Sequence, residues 1–146
     1  MSDKEDCMYC KKDSRLDELM LEVIKLEICT VYLYREISYP GRCVLALNRH
    51  VHKLTEISNQ ERNGLLQDVT LVASAIGKLY QPDNINYLIL GDKSPHLHIH
   101  IVPKYEKGKD WGCIFQMMPA QPIKPTGDES YSKQISLLRQ ELLNLC

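Results

Sequence analysis

The stretch SPHLHIHIVPKY, residues 94–105, holds three of the chain's five histidines, at His96, His98 and His100. Leu97, Ile99 and Ile101 alternate with them. In a strand, successive side chains point to opposite faces, so a period of two puts the three imidazoles on one face and the aliphatic set on the other. The aliphatic face belongs against a core, as a half-buried strand requires. Neighbouring imidazoles then stand about 6–7 Å apart, twice the rise per strand residue. One substrate or metal ion can feel more than one ring.

Working outward, INYLILGD (residues 85–92) reads as a strand, and Asp92 to Pro95 as the turn that feeds a strand from His96 to Val102. Upstream, SNQERNGLLQDVTLVASAIGKLY is the clearest helix, from about Ser58 to Tyr80. Ser58 and Glu61 form a capping box, and Leu65, Val69, Val72, Ile76 and Leu79 keep helical spacing. Residues 19–37, LMLEVIKLEICTVYLYREI, read as two strands or as a short helix and a strand. Pro40-Gly41 then turns the chain into a strand through Leu47, a hairpin candidate. Residues 106–127 contain a proline-rich loop, and Tyr131 to Leu145 read as an amphipathic helix within a C-terminal segment 128–146. Hairpin-joined strands with helices on one side make an α+β domain. At 146 residues the chain is expected to be a single domain, 1–146.

The chain is 44% hydrophobic and 25% charged, within the ordinary globular range. A formal net charge of -1 gives no argument for nucleic acid or a membrane surface as partner. The start, MSDKEDCMYCKKDSR, has no apolar core of a signal peptide, and no apolar run approaches the ~18 residues of a membrane span. A cytoplasmic protein is expected. Six cysteines could pair as disulfides, but without a secretory signal a disulfide framework is not expected. Cys7 and Cys10 form a C-x-x-C pair, readable as half a zinc site, a redox pair or chance.

Three chemistries suit a row of strand histidines. They can converge on a catalytic metal. One neutral imidazole can attack phosphorus while its neighbours orient it. They can also be no more than a satisfied polar face. A closed zinc site wants four ligands, of which Cys7 and Cys10 offer two. If His96 and one of His50 or His52 supply the others, the metal holds His96 and leaves His98 free.

HLHIHIV fits the pattern H-φ-H-φ-H-φ-φ, with φ apolar. The order C-x-x-C, Pro-Gly hairpin, NRH, long helix, strand and triad agrees with it from Cys7 to Tyr105. This resembles the histidine triad (HIT) superfamily of nucleotide hydrolases and transferases, in its zinc-bearing C-x-x-C form. The resemblance implies a HIT-like α+β fold: an antiparallel sheet of about five strands, one long helix and a C-terminal helix packed against it. It implies that His98 attacks the α-phosphorus and forms a nucleotidyl-imidazole, while His100 supports it and passes a proton toward the leaving group. It also implies a structural zinc on Cys7, Cys10, His50 and His96, with residues 1–15 as the zinc-binding segment. The substrate class is a dinucleoside polyphosphate such as diadenosine tetraphosphate, or a nucleoside phosphoramidate, with adenine as base and a homodimer as assembly.

Departures from the family pattern bear on substrate binding. Many members lead into the triad with Gly-Gln-Ser, where this chain has Gly91-Asp92-Lys93 followed by Ser94. Lys93 and Ser94 are the candidates to hold phosphate here, with Lys104 as a further available cation. Glu36 is the nearest match to the family's ribose ligand and should reach the rim of the triad pocket. His52 matches no family role and reads as a surface histidine. Two rival functions remain: a zinc hydrolase in which the triad itself binds catalytic metal, and a non-catalytic nucleotide-binding module.

Overall fold

A computed structural model describes residues 4–146. The first three residues of the expected metal-binding segment lie outside the described residues. In chain order the elements are α1 (Met8–Lys11), α2 (Ser14–Leu19), β1 (Met20–Lys25), β2 (Cys29–Tyr34), β3 (Cys43–Leu47), α3 (Asn59–Tyr80), β4 (Asn84–Ile89), β5 (His98–Lys104) and α4 (Glu129–Leu145). The strands form one antiparallel sheet in the order β1-β2-β3-β5-β4. The stretch from 19 to 37 is thus two strands, and β2 and β3 are the expected hairpin.

Alternation decides the layers. Cys43, Leu45 and Leu47 of β3 and Ile99 and Ile101 of β5 share one face, in register as Cys43 opposite Ile101 and Leu45 opposite Ile99. They pack with Leu65, Val69, Val72 and Ile76 of α3 and Leu138 and Leu142 of α4. Each side chain buried in this way contributes about 1.5–3 kcal/mol. Truncating Ile101, which is wholly buried, to alanine costs about 2–5 kcal/mol because the cavity it leaves cannot fully collapse.

The other face is not left to solvent, as helices on one side alone would leave it. Val44 and Ala46 of β3, Tyr32 and Tyr34 of β2 and Met20 of β1 cluster with Tyr9 and Leu16 of the N-terminal segment. That segment forms two short helices, the second started by Asp13, whose side chain accepts from the Arg15 amide. The central strands are therefore buried along their whole length.

Helix α3 begins at the capping box of Ser58 and Glu61 and ends where Gln81 turns left-handed, at φ 50°. Asp68 on its buried side accepts from the amides of Ile28 and Cys29, which ties the helix to the β1–β2 turn. Gly41 in the β2–β3 connection has φ +89°, and a Cβ there would lie 2.8 Å from the Tyr80 ring. Only glycine serves both the backbone and the close approach.

Candidate active site

Strand β5 begins at His98 and not at His96. The chain just before it is held sideways: the Leu97 amide donates to the Val51 carbonyl at 2.6 Å, and the Leu97 carbonyl accepts from the Leu47 amide at 3.0 Å. His96 therefore stands beside the segment after β3, where its Nε2 donates to the Leu47 carbonyl at 2.7 Å. With the proton on Nε2, Nδ1 carries a lone pair. That lone pair faces Cys7 Sγ at 3.3 Å, Cys10 Sγ at 3.7 Å and His50 Nδ1 at 3.2 Å.

Cys7, Cys10, His50 and His96 gather four ligand atoms within 4.8 Å of one another. Zn–S bonds of ~2.3 Å and Zn–N bonds of ~2.0–2.1 Å in a tetrahedron separate the ligand atoms by about 3.3–3.8 Å. The Cys7–His96, Cys10–His50, Cys10–His96 and His50–His96 spacings, 3.2 to 3.7 Å, are close to that range, and two thiols with two imidazoles are a zinc-type donor set, so these residues can hold that ion. Burial, followed by the contact with Cys7, pushes the Cys10 thiol up to about 11. A cation among these atoms reverses that preference, because it stabilises thiolate. His52 is not an isolated surface residue. Its Nε2 lies 3.1 Å from His50 Nε2, on the side away from the cluster, in the place of an outer partner for a ligating imidazole.

His98 lies next along the chain and is separate from this group. Its Nδ1 donates to the His96 carbonyl at 2.6 Å. The carbonyl has no proton to give, so Nδ1–H is fixed and Nε2 keeps its lone pair. His98 and His100 line a cavity of about 430 Å³ with Tyr9, Met20, Tyr34, Lys93, Ser94 and the methionines Met117 and Met118. Lys93 and Ser94 thus share the pocket with both histidines. The rings of His98 and His100 are 5.2 Å apart and nearly perpendicular, at 73°.

Burial governs the charge of these rings. It pulls His98 below the ordinary histidine value, against the bond to the His96 carbonyl. It pulls His100 to about 3, helped by Arg42 and His98, and His96 to about 4. All three imidazoles are neutral near pH 7, the form that offers a lone pair. A zinc hydrolase built on the triad needs metal on His98, whereas the clustered ligands stop at His96.

Two expected residues lie elsewhere. Glu36 is 1% exposed and absent from the pocket wall. Its Oε1 accepts from the Ser38 amide at 2.9 Å, the Ser38 hydroxyl at 2.5 Å and the Ile123 amide at 3.1 Å. The expected place at the rim of the triad pocket is thus not where the carboxylate lies; Oε1 pins the loop before α4. Lys104 is 2% exposed and donates to the carbonyls of Asp110 and Cys113, so it closes a loop and is not a phosphate cation. Sequence reasoning missed Tyr9 and Arg42. Tyr9 falls between the two cysteines, and its ring is 5.1 Å from His96 and 5.3 Å from His98. Arg42 lies two residues before Val44, which pairs with His100, so a period of two was the available signal.

The HIT domain family model matches residues 21–107. The chain is 27% identical over 134 residues to the adenosine 5'-monophosphoramidase hnt1 of Schizosaccharomyces pombe, covering 87% of this chain and 97% of that one. A histidine triad protein from Bradyrhizobium japonicum shares its fold with a TM-score of 0.79 at 22% identity, over 89% of this chain and 96% of the other. A zinc-bound histidine triad family protein from Mycobacterium smegmatis shares it with a TM-score of 0.69 at 20% identity, over 98% and 97%.

Proposed function

Because the chain belongs to the HIT domain family, we propose that it is a nucleotide hydrolase that cleaves at the α-phosphate of a nucleoside phosphoramidate or a dinucleoside polyphosphate. The observation that carries this reading is the bond from His98 Nδ1 to the His96 carbonyl, which leaves Nε2 as a lone pair in a ring that lines the pocket. His98 Nε2 attacks the α-phosphorus, and the bond to the leaving group breaks with its electron pair. Phosphoramidate nitrogen takes up a proton from solvent water and leaves as ammonia, and the proton released later by the attacking water replaces it; a polyphosphate leaves as an anion. Water then attacks the nucleotidyl-histidine, its proton passes to solvent, and nucleoside monophosphate departs. Lys93 and Ser94 hold phosphate oxygens, and His100 donates a hydrogen bond to them from its neutral ring. Phosphoryl transfer is mainly positioning and charge stabilisation, which this arrangement suits.

Zinc held by Cys7, Cys10, His50 and His96 is structural in this reading: it contributes folding free energy. His96, so held, presents its carbonyl to His98. The adenosine substrate of the Schizosaccharomyces relative supports adenine as base here. A homodimer follows the family resemblance, and the cytoplasmic location without nucleic acid or membrane follows the near-neutral charge and the lack of a long apolar run. Among the described residues no helix is long and apolar enough to cross a membrane.

The test is a turnover screen with adenosine 5'-phosphoramidate and diadenosine tri- and tetraphosphate, on the native chain and on His98→Asn. The native chain should release AMP from at least one, and the variant should lose that release by several orders of magnitude. No AMP from any of the three, or equal release by the variant, refutes the reading.

A further inference from the structure

Arg42 is 1% exposed, among the largest fully buried side chains of the protein. It follows the Pro40-Gly41 turn, and β3 runs on from it with Val44 and Ala46 opposite His100 and His98. Its guanidinium carbon is 3.8 Å from the centre of the Tyr34 ring. Nη1 donates to the Met117 carbonyl at 3.0 Å. Nη2 lies 3.3 Å from His100 Nδ1. No carboxylate stands within 4.0 Å of it among the described residues. A buried cation without an ion pair is costly, and in a core that only had to be filled an apolar side chain would cost less.

The chemistry of the contact is one-sided. A guanidinium has five N–H donors and no lone pair to accept with. His100 Nδ1 must therefore accept, and the proton of the neutral ring sits on Nε2. Nδ1 is also the only other place a second proton could go, and Arg42 occupies it with an N–H and a positive charge. The two neighbouring rings thus end in opposite tautomers: His98 with a bare Nε2, His100 with an Nε2–H. One can attack phosphorus, the other can donate to a phosphate oxygen. The His98 tautomer is set by a main-chain carbonyl, whereas the His100 tautomer depends on a single side chain.

We propose that Arg42 is a positioning residue for the hydrolysis, holding His100 as a neutral Nε2–H donor so that the charge growing on the phosphoryl oxygens meets a fixed hydrogen bond. The proposal rests on the hydrolase reading for its kinetic part only. Arg42 does not line the pocket itself, so its effect reaches substrate through His100. It should appear in kcat and leave KM nearly unchanged, since the interaction strengthens in the transition state.

The test joins kinetics to nitrogen-15 NMR of the imidazoles in the native chain, Arg42→Met and Arg42→Lys. In the native chain His100 Nδ1 should resonate as an unprotonated acceptor nitrogen. Arg42→Met, which keeps bulk and loses the donor, should mix the His100 tautomers and lower kcat about 10- to 100-fold, with KM changed less than about threefold. Arg42→Lys, a cationic donor, should recover a large part of both. A native spectrum with the His100 proton on Nδ1 overturns the proposal, as does an Arg42→Met enzyme with native kcat. If Arg42→Met does not fold, the native spectrum and Arg42→Lys still decide. If the native chain cleaves none of the three nucleotides while Arg42→Met still changes the His100 tautomer, the hydrolase reading fails and the hold of Arg42 on His100 stands.

Discussion

The ring of Tyr9 stands 5.3 Å from that of His98, tilted by 34°, and Tyr9 lies between Cys7 and Cys10 in the chain. The same ring is 5.1 Å from His96. One short turn therefore carries two thiols of the metal-type cluster and an aromatic wall of the triad pocket. Whatever loosens that turn moves ligands and wall together.

Zinc analysis of the purified protein should find about one ion per chain, in a tetrahedral thiolate–imidazole site. Cys10→Ala should lose it and melt at a lower temperature, because binding free energy of a structural metal is folding free energy. The variant should also bind nucleotide less tightly, since Tyr9 is no longer held against His98. Full zinc retention in Cys10→Ala would refute the four-residue assignment.

Glu36 separates a binding role from a structural one. Glu36→Ala removes the acceptor for two amides and a hydroxyl around residues 36–38 and 123. Leaving buried donors unpaired costs about 1–3 kcal/mol, so the urea midpoint should fall. KM for the nucleotide should stay near native when measured well below the melting range. A native midpoint with a raised KM would restore the ribose role.

What could be read in the sequence was local or periodic. The triad alternation, the capping box at Ser58 and Glu61, and the Pro-Gly turn each act within a few residues, so neighbours along the chain were enough. Zinc's need for four ligands joined Cys7, Cys10 and His96 with one of His50 or His52, the family resemblance chose His50, and the structure brings those four together. The remainder depended on distant partners. Nothing near the Pro-Gly turn marks Arg42 as buried, because its cover comes from the loop around Met117. Glu36 reads as a pocket residue until Ile123 donates to it from 87 residues downstream. His52 takes its meaning from where the His50 ring points. Helix α1, at four residues, is too short to show a period.

His100 makes stability depend on pH with a definite sign. In the unfolded chain it titrates at about 6.5; in the folded chain burial, Arg42 and His98 hold it to about 3. Between those values the unfolded state binds the extra proton, so stability rises with pH there. The contribution is fully present above about pH 6.5 and is lost as pH falls toward about 3. From pH 7 to pH 5 the native chain should lose on the order of 1–2 kcal/mol more than His100→Asn does. Urea titrations of both proteins at the two pH values check this, and parallel losses would contradict it.

A covalent bond between His98 and phosphorus is the most direct prediction of the proposed mechanism. A nucleophile needs a free lone pair and a ring that does not rotate. His98 has both, because its Nδ1–H is tied to the His96 carbonyl at 2.6 Å and Tyr9 flanks its face. His96 points its own lone pair at the thiols, and His100 turns its lone pair to Arg42. Of the three, only His98 is left to attack. Rapid acid-free quenching during turnover of a nucleotide labelled at the α-phosphorus should therefore trap label on the protein, stable in base and released by acid as phosphoramidates are. Peptide mapping should place it on His98. His98→Asn should trap none while still binding nucleotide close to native affinity, since the lost interaction belongs to the transition state. Label on His96 or His100, or native turnover by His98→Asn, would overturn the assignment of the nucleophile.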